Sequence, residues 1–193
     1  MREGFIDIHT HNPDPHVLSP KMAGIHPWDA EKNLPFPDFT DCDIIGETGL
    51  DYAVSVDRDV QESCFCAHLK AAQEIGKPVI LHVVRAFEPV MKILSRYRIP
   101  GVVFHGFVGS KEQAKRCYDA GYYLSFGERS LASKKTREVI SSAPAYCIFC
   151  ETDDNPDCDI AEIYREVAVL RRTTIDELQK QIANNYHTLM RQK

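Results

Sequence analysis

The chain has 193 residues, of which 44% are hydrophobic and 26% charged, as in an ordinary globular protein. No apolar run approaches the about 20 residues that a membrane-spanning helix needs, and the N-terminus lacks the apolar core of a secretory signal, so we expect a cytoplasmic protein with no membrane partner. The net charge of −5 argues against broad electrostatic binding to nucleic acid but leaves a phosphodiester substrate open, because bound cations neutralise phosphate locally.

Short apolar runs alternate with helical patterns along the chain. Strands are predicted at residues 5–8, 22–25, 44–46, 79–81, 102–104, 122–126 and 145–150. Helices are predicted at residues 56–75, 86–97, 110–121, 160–171 and 175–190, with one more beginning at Ser130 or Ser133. Ser110 and Thr174 have the chemistry of N-caps. This order predicts a βα repeat with parallel strands.

The chain is short for a complete barrel of eight βα units, which usually takes roughly 250 residues. The shortage falls early, because residues 12–25 are too few to hold a helix-bearing crossover of a dozen or more residues and the next strand. We therefore predict an α/β fold, a TIM-like (β/α) barrel of about seven strands with a missing or distorted early βα unit. Residues 1–193 are expected to form a single domain.

Acidic and imidazole side chains recur where the predicted strands end. They are His9, His11, Glu47, His82, His105 and Asp153. Parallel strands of a barrel present their C-terminal ends on one face, so residues far apart in the chain can converge there. Four imidazoles and two carboxylates suit one or two divalent metal ions. The alternative is a set of strand-end residues that are hydrogen-bonded separately.

Seven cysteines, an odd number, are scattered through predicted helices and strands, which is typical of a reducing compartment. Cys147 and Cys150 have the spacing of a redox or zinc pair. They lie in an apolar strand-like run, however, where residues three apart face opposite sides. We predict that both are buried as small hydrophobic residues.

Several motifs together resemble the TatD family of metal-dependent hydrolases, in the amidohydrolase superfamily. They are Phe5-Ile-Asp-Ile-His-Thr-His11, Gly24-Ile-His-Pro-Trp28, Ile45-Gly-Glu-Thr-Gly-Leu-Asp-Tyr52, Pro78-Val-Ile-Leu-His82, His105-Gly-Phe-Val-Gly-Ser110, Glu151-Thr-Asp153 and Ile182-Ala-Asn-Asn-Tyr-His-Thr-Leu189. The resemblance spans nearly the whole chain and keeps the order of the family's motifs.

The resemblance implies a nuclease or phosphodiesterase with two metal ions. One metal would be held by His9, His11 and Asp153, the second by His82 and His105, and Glu47 would bridge them. Asp153 would also position or deprotonate the attacking water, and the metals would lower the pKa of that water. The donor types leave Mg, Mn and Zn open.

Two further residues are candidates for substrate contacts. His26 follows a short strand and is predicted to contact phosphate or substrate, with a structural histidine as the alternative. Arg85 stands three residues after His82, whereas the family pattern has an arginine two residues after that histidine. This departure, the early shortening and the short segment 154–158 bear on substrate binding more than on metal binding.

The leading hypothesis is a deoxyribonuclease, of which an exonuclease is one form, with DNA or another phosphodiester as substrate and no obligate protein partner. An amidase, lactonase or small-molecule phosphoesterase is the alternative enzyme, because an activated water attacks different electrophilic centres. A non-catalytic metal-binding protein is the alternative without turnover.

Overall fold

The computed structural model describes residues 4–191, which form two compact units. The first unit contains residues 4–20 and 105–188, and the second contains residues 21–104 and 189–191. None of the helices in these described residues is long and apolar enough to cross a membrane. The single domain over residues 1–193 stays a prediction.

The second unit is built on four parallel strands. They are β1 (Met22–Ala23), β2 (Ile44–Asp51), β3 (Val79–Val84) and β4 (Val102–Phe104), and each pairs with the next. Strand β2 is buried along almost its whole length, as expected of a parallel strand covered on both faces.

The helices of the second unit begin and end at residues suited to those positions. They are a 3-10 turn (Pro27–Asp29), α1 (Arg58–Ile75) and α2 (Phe87–Leu94). Asp57 caps α1 by accepting hydrogen bonds from the N–H groups of Asp59 and Val60, at 2.9 and 3.1 Å. Gly76 ends the helix with a left-handed φ of 69°, which a glycine adopts without steric cost.

The first unit contains the other helices and two further strands. In chain order they are α3 (Lys111–Asp119), β5 (Tyr123–Phe126), α4 (Glu128–Ala132), α5 (Lys134–Ser142), a 3-10 turn (Ala145–Cys147), β6 (Ile148–Cys150), α6 (Ile160–Arg171) and α7 (Ile175–Arg191). Strands β5 and β6 are parallel. Residues 4–20 contain turns and bends and make isolated parallel bridges, one of them between Thr10 and Asp153.

The predicted helix starts are confirmed at the residues that were predicted to cap or begin a helix. Ser110 and Gln113 exchange side-chain and backbone hydrogen bonds at the start of α3, and Thr174 and Glu177 do the same at the start of α7. Ser133 caps α5. Local hydrogen bonds decide these boundaries, which is why the sequence was sufficient.

The strands differ more from the prediction. The described residues contain six regular strands where about seven were predicted, because segment 5–8 makes only an isolated bridge between Ile6 and Leu18. Strand β2 continues to Asp51 and β3 to Val84. Glu47 and His82 consequently lie inside strands, and the prediction that they follow strand ends was wrong.

Glycines explain why β2 continues. The strand was predicted to end at Gly46, yet Gly46 and Gly49 both lie within it. A Cβ at Gly49 would stand 2.1 Å from the carbonyl oxygen of His82, and one at Gly46 would stand 2.5 Å from that of Ile80. These glycines therefore permit a close approach of β2 to β3.

Candidate metal sites

The first unit brings three of the predicted ligands together. One ligating atom each of His9, His105 and Asp153 lies within 4.8 Å of the others. The Nε2 of His9 is 3.4 Å from Oδ1 of Asp153, and the ring centroids of His9 and His105 are 4.4 Å apart. Both histidines are buried. A buried group of imidazoles and a carboxylate at this spacing suits a divalent cation.

His11 lies at the edge of the same group. Its Nε2 is 3.9 Å from Oδ1 of Asp153, and its side chain is 55% exposed. The ring centroids of His11 and His9 are 5.1 Å apart. His11 therefore approaches the cluster from the solvent side, whereas His9 and His105 approach it from the interior.

Asp153 is held by its backbone on the segment that carries the two histidines. Its N–H donates to the carbonyl of His9 at 3.1 Å, and its own carbonyl accepts the N–H of His11 at 2.9 Å. Asp153 adopts a left-handed φ of 58°, a conformation that aspartate tolerates better than most residues. The chain therefore bends after β6 at Asp153, the residue whose carboxylate contacts His9.

A buried carboxylate anchors the same loop. Both oxygens of Asp7 accept hydrogen bonds from Thr152, at 3.1 Å from its N–H and 2.7 Å from its hydroxyl. Burial raises the pKa of Asp7 to about 7, although the hydrogen bonds from Thr152 act to lower it. Sequence reasoning did not single out this pair, since a contact across 145 positions leaves no local pattern.

Glu151 lies behind His105. Its Oε1 accepts the N–H of Gly106 at 2.5 Å and is 3.5 Å from Nδ1 of His105. Its Oε2 is buried and has no hydrogen-bond partner among the described residues. Glu151 and Asp153 line a cavity of about 30 Å³, which has room for about one or two water molecules.

Arg129 is a functional candidate that the sequence analysis missed. Its guanidinium lies 3.8 Å from Oδ2 of Asp153 and 3.3 Å from Oδ2 of Asp154, and its side chain is 68% exposed. It follows β5 by three positions. This position after a strand could have identified Arg129 from the sequence, because the other candidates were also sought near strand ends.

The second unit brings Glu47 and His82 together with His26. Their ligating atoms lie within 4.8 Å of one another. Oε2 of Glu47 is 3.3 Å from Nδ1 of His82 and 3.7 Å from Nε2 of His26. The two imidazole centroids are 4.4 Å apart. His26 therefore lies beside two predicted ligands, a position that favours a functional role over a structural one.

An irregularity in β2 positions Glu47. Ile45 pairs with Val79, but Thr48 pairs with Leu81, so β2 has one more residue than β3 between these pairs. Such a bulge redirects a side chain and is frequent beside functional sites. Glu47 lies in this bulge, and its carboxylate lies beside the His82 ring.

Asp51 holds the other side of the His82 ring. Its Oδ2 is 3.1 Å from Nε2 of His82 and accepts the indole N–H of Trp28 at 2.7 Å. Burial acts to raise the pKa of Asp51, but hydrogen bonds from Trp28, the N–H of Ala53 and His82 outweigh burial and lower it. Asp51 is therefore an ionised acceptor behind a predicted metal ligand, the arrangement that orients ligating histidines in many metal sites.

Arg85 follows β3 and is exposed, with a left-handed φ of 51°. Its predicted contact with substrate stays a prediction.

Cys147 and Cys150 are buried, and burial raises the pKa of Cys147 to about 12 and that of Cys150 well above its usual value. Neither thiol has the thiolate character of a metal ligand, which supports the structural interpretation of this pair.

Imidazole and carboxylate groups gathered at parallel strands are typical of metal-binding α/β proteins. The profile of the family described as "TatD related DNase" matches residues 19–191. The chain therefore belongs to the TatD family, as the motifs of the sequence predicted.

Two relatives indicate how much of a longer protein the chain matches. It is 32% identical over 163 residues to the Escherichia coli protein named "Uncharacterized metal-dependent hydrolase YjjV", covering 75% of this chain and 62% of the relative. It is 27% identical over 202 residues to the Edwardsiella piscicida protein named "3'-5' ssDNA/RNA exonuclease TatD", covering 88% of this chain and 76% of the relative. By sequence, the chain thus spans less than two thirds of YjjV.

A solved structure shares the fold. The crystal structure of YjjV from Escherichia coli superposes with a TM-score of 0.80 and 23% identity, and the superposition covers 98% of each chain. This likeness confirms the predicted α/β, TIM-like fold class.

Proposed function

We propose that the chain is a metal-dependent hydrolase that cleaves phosphodiester bonds of DNA. The observation that carries the proposal is the approach of His9, His105 and Asp153 to within 4.8 Å in their ligating atoms. Family membership supports the same chemistry, and a relative is named as an exonuclease of single-stranded DNA and RNA. Cleavage of single-stranded DNA from an end is the form of activity that this name favours.

The donor set fits a divalent cation. Clustered carboxylates and imidazoles in a largely buried place are costly unless they are paired or hold a metal. His9, His11, His105 and Asp153 of the first unit and Glu47 and His82 of the second are the residues that would hold one or two such ions. A bound divalent metal supplies Lewis-acid stabilisation of phosphoryl oxygen and lowers the pKa of water. Mg, Mn and Zn are the ions to test.

Asp153 is the proposed general base. Its Oδ1 faces His9 and its Oδ2 faces Arg129, and it lines the water-sized cavity that it shares with Glu151. A carboxylate beside a water site can accept a proton as the water attacks. The hydrogen bonds that tie the Asp153 backbone to His9 and His11 keep this carboxylate in place.

His26 and Arg85 are the proposed substrate contacts. The Nε2 of His26 already points toward an anionic oxygen, that of Glu47, and a phosphate oxygen has similar chemistry. Arg85 supplies a positive charge after β3. Because the net charge is −5, nucleic acid would be held locally, at such cations and at the metals, and not by a broad basic surface.

We further propose a reducing, cytoplasmic location. All seven cysteines are free thiols, and proteins of oxidising compartments tend to pair them.

The decisive experiment measures cleavage of single-stranded and duplex DNA with Mg, Mn or Zn added separately. Asp153→Asn should lower turnover at least about 100-fold, while Asp119→Asn, at an exposed aspartate of α3 paired with Lys115, should stay near the activity of the unchanged chain. Absence of cleavage with every metal would overturn the proposal, as would full activity of Asp153→Asn.

A substrate panel separates the alternatives. Amides, lactones and small phosphoesters are offered under the same conditions, with metal content measured on the purified protein. Turnover of one of these without DNA cleavage would replace the nuclease by a small-molecule hydrolase. Bound metal without turnover of any substrate would favour a non-catalytic metal-binding protein.

A further inference from the structure

Two histidines flank Glu47 in the second unit, and their chemistry depends on where each carries its proton. A neutral imidazole has one N–H, which donates hydrogen bonds, and one nitrogen lone pair, which accepts them or binds a metal. His82 turns Nδ1 to Glu47, whereas His26 turns Nε2 to it. The partner on the far side of each ring therefore determines what faces Glu47.

Asp51 determines the proton position of His82. Its Oδ1 accepts the N–H of Ala53 at 2.8 Å, and its Oδ2 accepts the indole N–H of Trp28 at 2.7 Å. Indole and backbone N–H groups only donate, so both oxygens act as acceptors. Nε2 of His82, 3.1 Å from Oδ2, then carries a proton that it donates to Asp51, which leaves Nδ1, on the side of Glu47, as the nitrogen available to a metal.

The backbone of Trp28 determines the opposite arrangement for His26. The N–H of Trp28 donates to Nδ1 of His26 at 3.2 Å. That bond occupies the lone pair of the ring, so Nε2 carries the proton on the side of Glu47. A protonated Nε2 donates to an anionic oxygen and does not bind a metal. His26 is thus unlike His82, although both stand within ligating distance of Glu47.

We propose that Trp28 gives the two histidines different roles by fixing where each ring carries its proton. Through Asp51, its indole N–H fixes His82 as a metal ligand at Nδ1, and its backbone N–H fixes His26 as a hydrogen-bond donor to an anionic oxygen. Trp28 and Asp51 are positioning residues in this scheme. The inference rests on the proposed metal-dependent function, but the proton positions can be measured without any turnover.

The variants separate the two N–H groups of Trp28. Trp28→Phe removes the indole N–H and keeps both the backbone amide and an aromatic ring, at a residue that is 55% exposed. Asp51→Asn keeps the shape of the carboxyl group but replaces one acceptor oxygen by an NH₂ donor. An amide oriented with its oxygen toward Ala53 would donate to Nε2 of His82 and move the proton to Nδ1. Asp43→Asn, which alters a carboxylate bonded to the N–H of Lys21, is the matched control.

The first readout is the ring ¹⁵N spectrum of the histidine-labelled, metal-free chain of 193 residues. We expect His82 to carry its proton on Nε2 in the unchanged chain and to shift toward Nδ1 in Asp51→Asn, with a smaller shift in Trp28→Phe. His26 should keep its proton on Nε2 in all variants, because the backbone amide of Trp28 remains. Absence of a proton from Nε2 of His82, or a proton on Nδ1 of His26, in the unchanged chain would overturn the proposal.

The second readout is the affinity for Mn²⁺ and Zn²⁺ by calorimetry. Asp51→Asn should bind metal about 10–100-fold more weakly, and Asp43→Asn should bind as the unchanged chain does. Should Asp51→Asn fail to fold, Trp28→Phe decides the matter by a loss of affinity in the same direction. Unchanged affinity in the folded variants would refute the inference. Failure to cleave DNA, with the expected proton positions, would refute the nuclease proposal alone.

Discussion

Asp7 and Thr152 join two segments that are 145 positions apart in the chain, through hydrogen bonds to both oxygens of the carboxylate. Asp7 precedes His9 by two residues, and Thr152 directly precedes Asp153. The pair therefore anchors the two proposed ligands whose atoms are 3.4 Å apart. Both residues are buried, so neither can replace this partner readily with water.

Replacing Thr152 by Val should destabilise the protein. The change keeps the side-chain shape but removes the hydroxyl that donates to Asp7, and we expect the free energy of unfolding to fall by about 1–3 kcal/mol. Urea unfolding measures the effect. Thr40→Val is the matched control, because the Thr40 hydroxyl also donates to an aspartate, Asp38, at an exposed position. Equal losses in the two variants would contradict the anchoring role.

Replacing Gly49 by Ala should be far more costly than the same change at Gly76. Both glycines have positive φ, 139° and 69°, but the Cβ at Gly49 would meet the carbonyl of His82 at 2.1 Å, whereas the Cβ at Gly76 meets nothing within 4 Å. We expect losses of about 3 kcal/mol or more at Gly49 and about 1–2 kcal/mol at Gly76. Thermal unfolding compares them, and similar stability of the two variants would show that β2 does not need this glycine.

Removing the charge of Arg129 should weaken substrate binding. Its exposed guanidinium lies beside Asp153 and Asp154, where it can reach a phosphate group. For Arg129→Met we expect KM for DNA to rise several-fold with a smaller change in kcat, and the salt dependence of binding to decrease by about one unit of slope. Arg165→Met is the control, an exposed arginine paired with Glu162 on α6. A lower kcat at unchanged KM would argue against a binding role.

His68 should make stability depend on pH. Its Nε2 accepts the N–H of Ile25 at 3.0 Å, and its Nδ1 lies 2.8 Å from the carbonyl of Cys64, so the folded chain holds it neutral. Burial lowers the pKa of His68, while the facing Cys64 thiol has a pKa raised by burial and stays neutral. The unfolded chain thus binds a proton near pH 6.5 that the folded chain does not bind until lower pH.

Stability from this group is therefore complete above about pH 6.5 and is lost as the pH falls below it, with a slope of at most about 1.4 kcal/mol per pH unit. His68→Gln should flatten the pH dependence of the free energy of unfolding in this range. His187→Gln, on an exposed histidine of α7, should leave it unchanged. A steeper dependence in His68→Gln would reverse the sign of this argument.

Local chemistry was enough to predict most of the helices and the candidate ligands. Caps such as Ser110 and Thr174 act within three residues, so their signals survive in the sequence. The six candidate ligands were recognisable by their residue types and their places in family motifs. The predicted end of β2 before Glu47 was wrong because glycine breaks many strands, and only the closeness of β3 makes glycine necessary inside one. Strand β3 also continues past His82, to Val84.

The folded structure was needed wherever a role depends on a partner distant in the chain. Asp51 and Trp28 both occur in the recognised motifs, but nothing local shows that they bond to each other and to His82. The pairing of Asp7 with Thr152 and the approach of Arg129 to Asp153 are likewise products of packing. Residue types set which atoms can bind a metal or donate a proton, whereas distances and burial, which arise only when remote segments pack, decide which of those atoms meet.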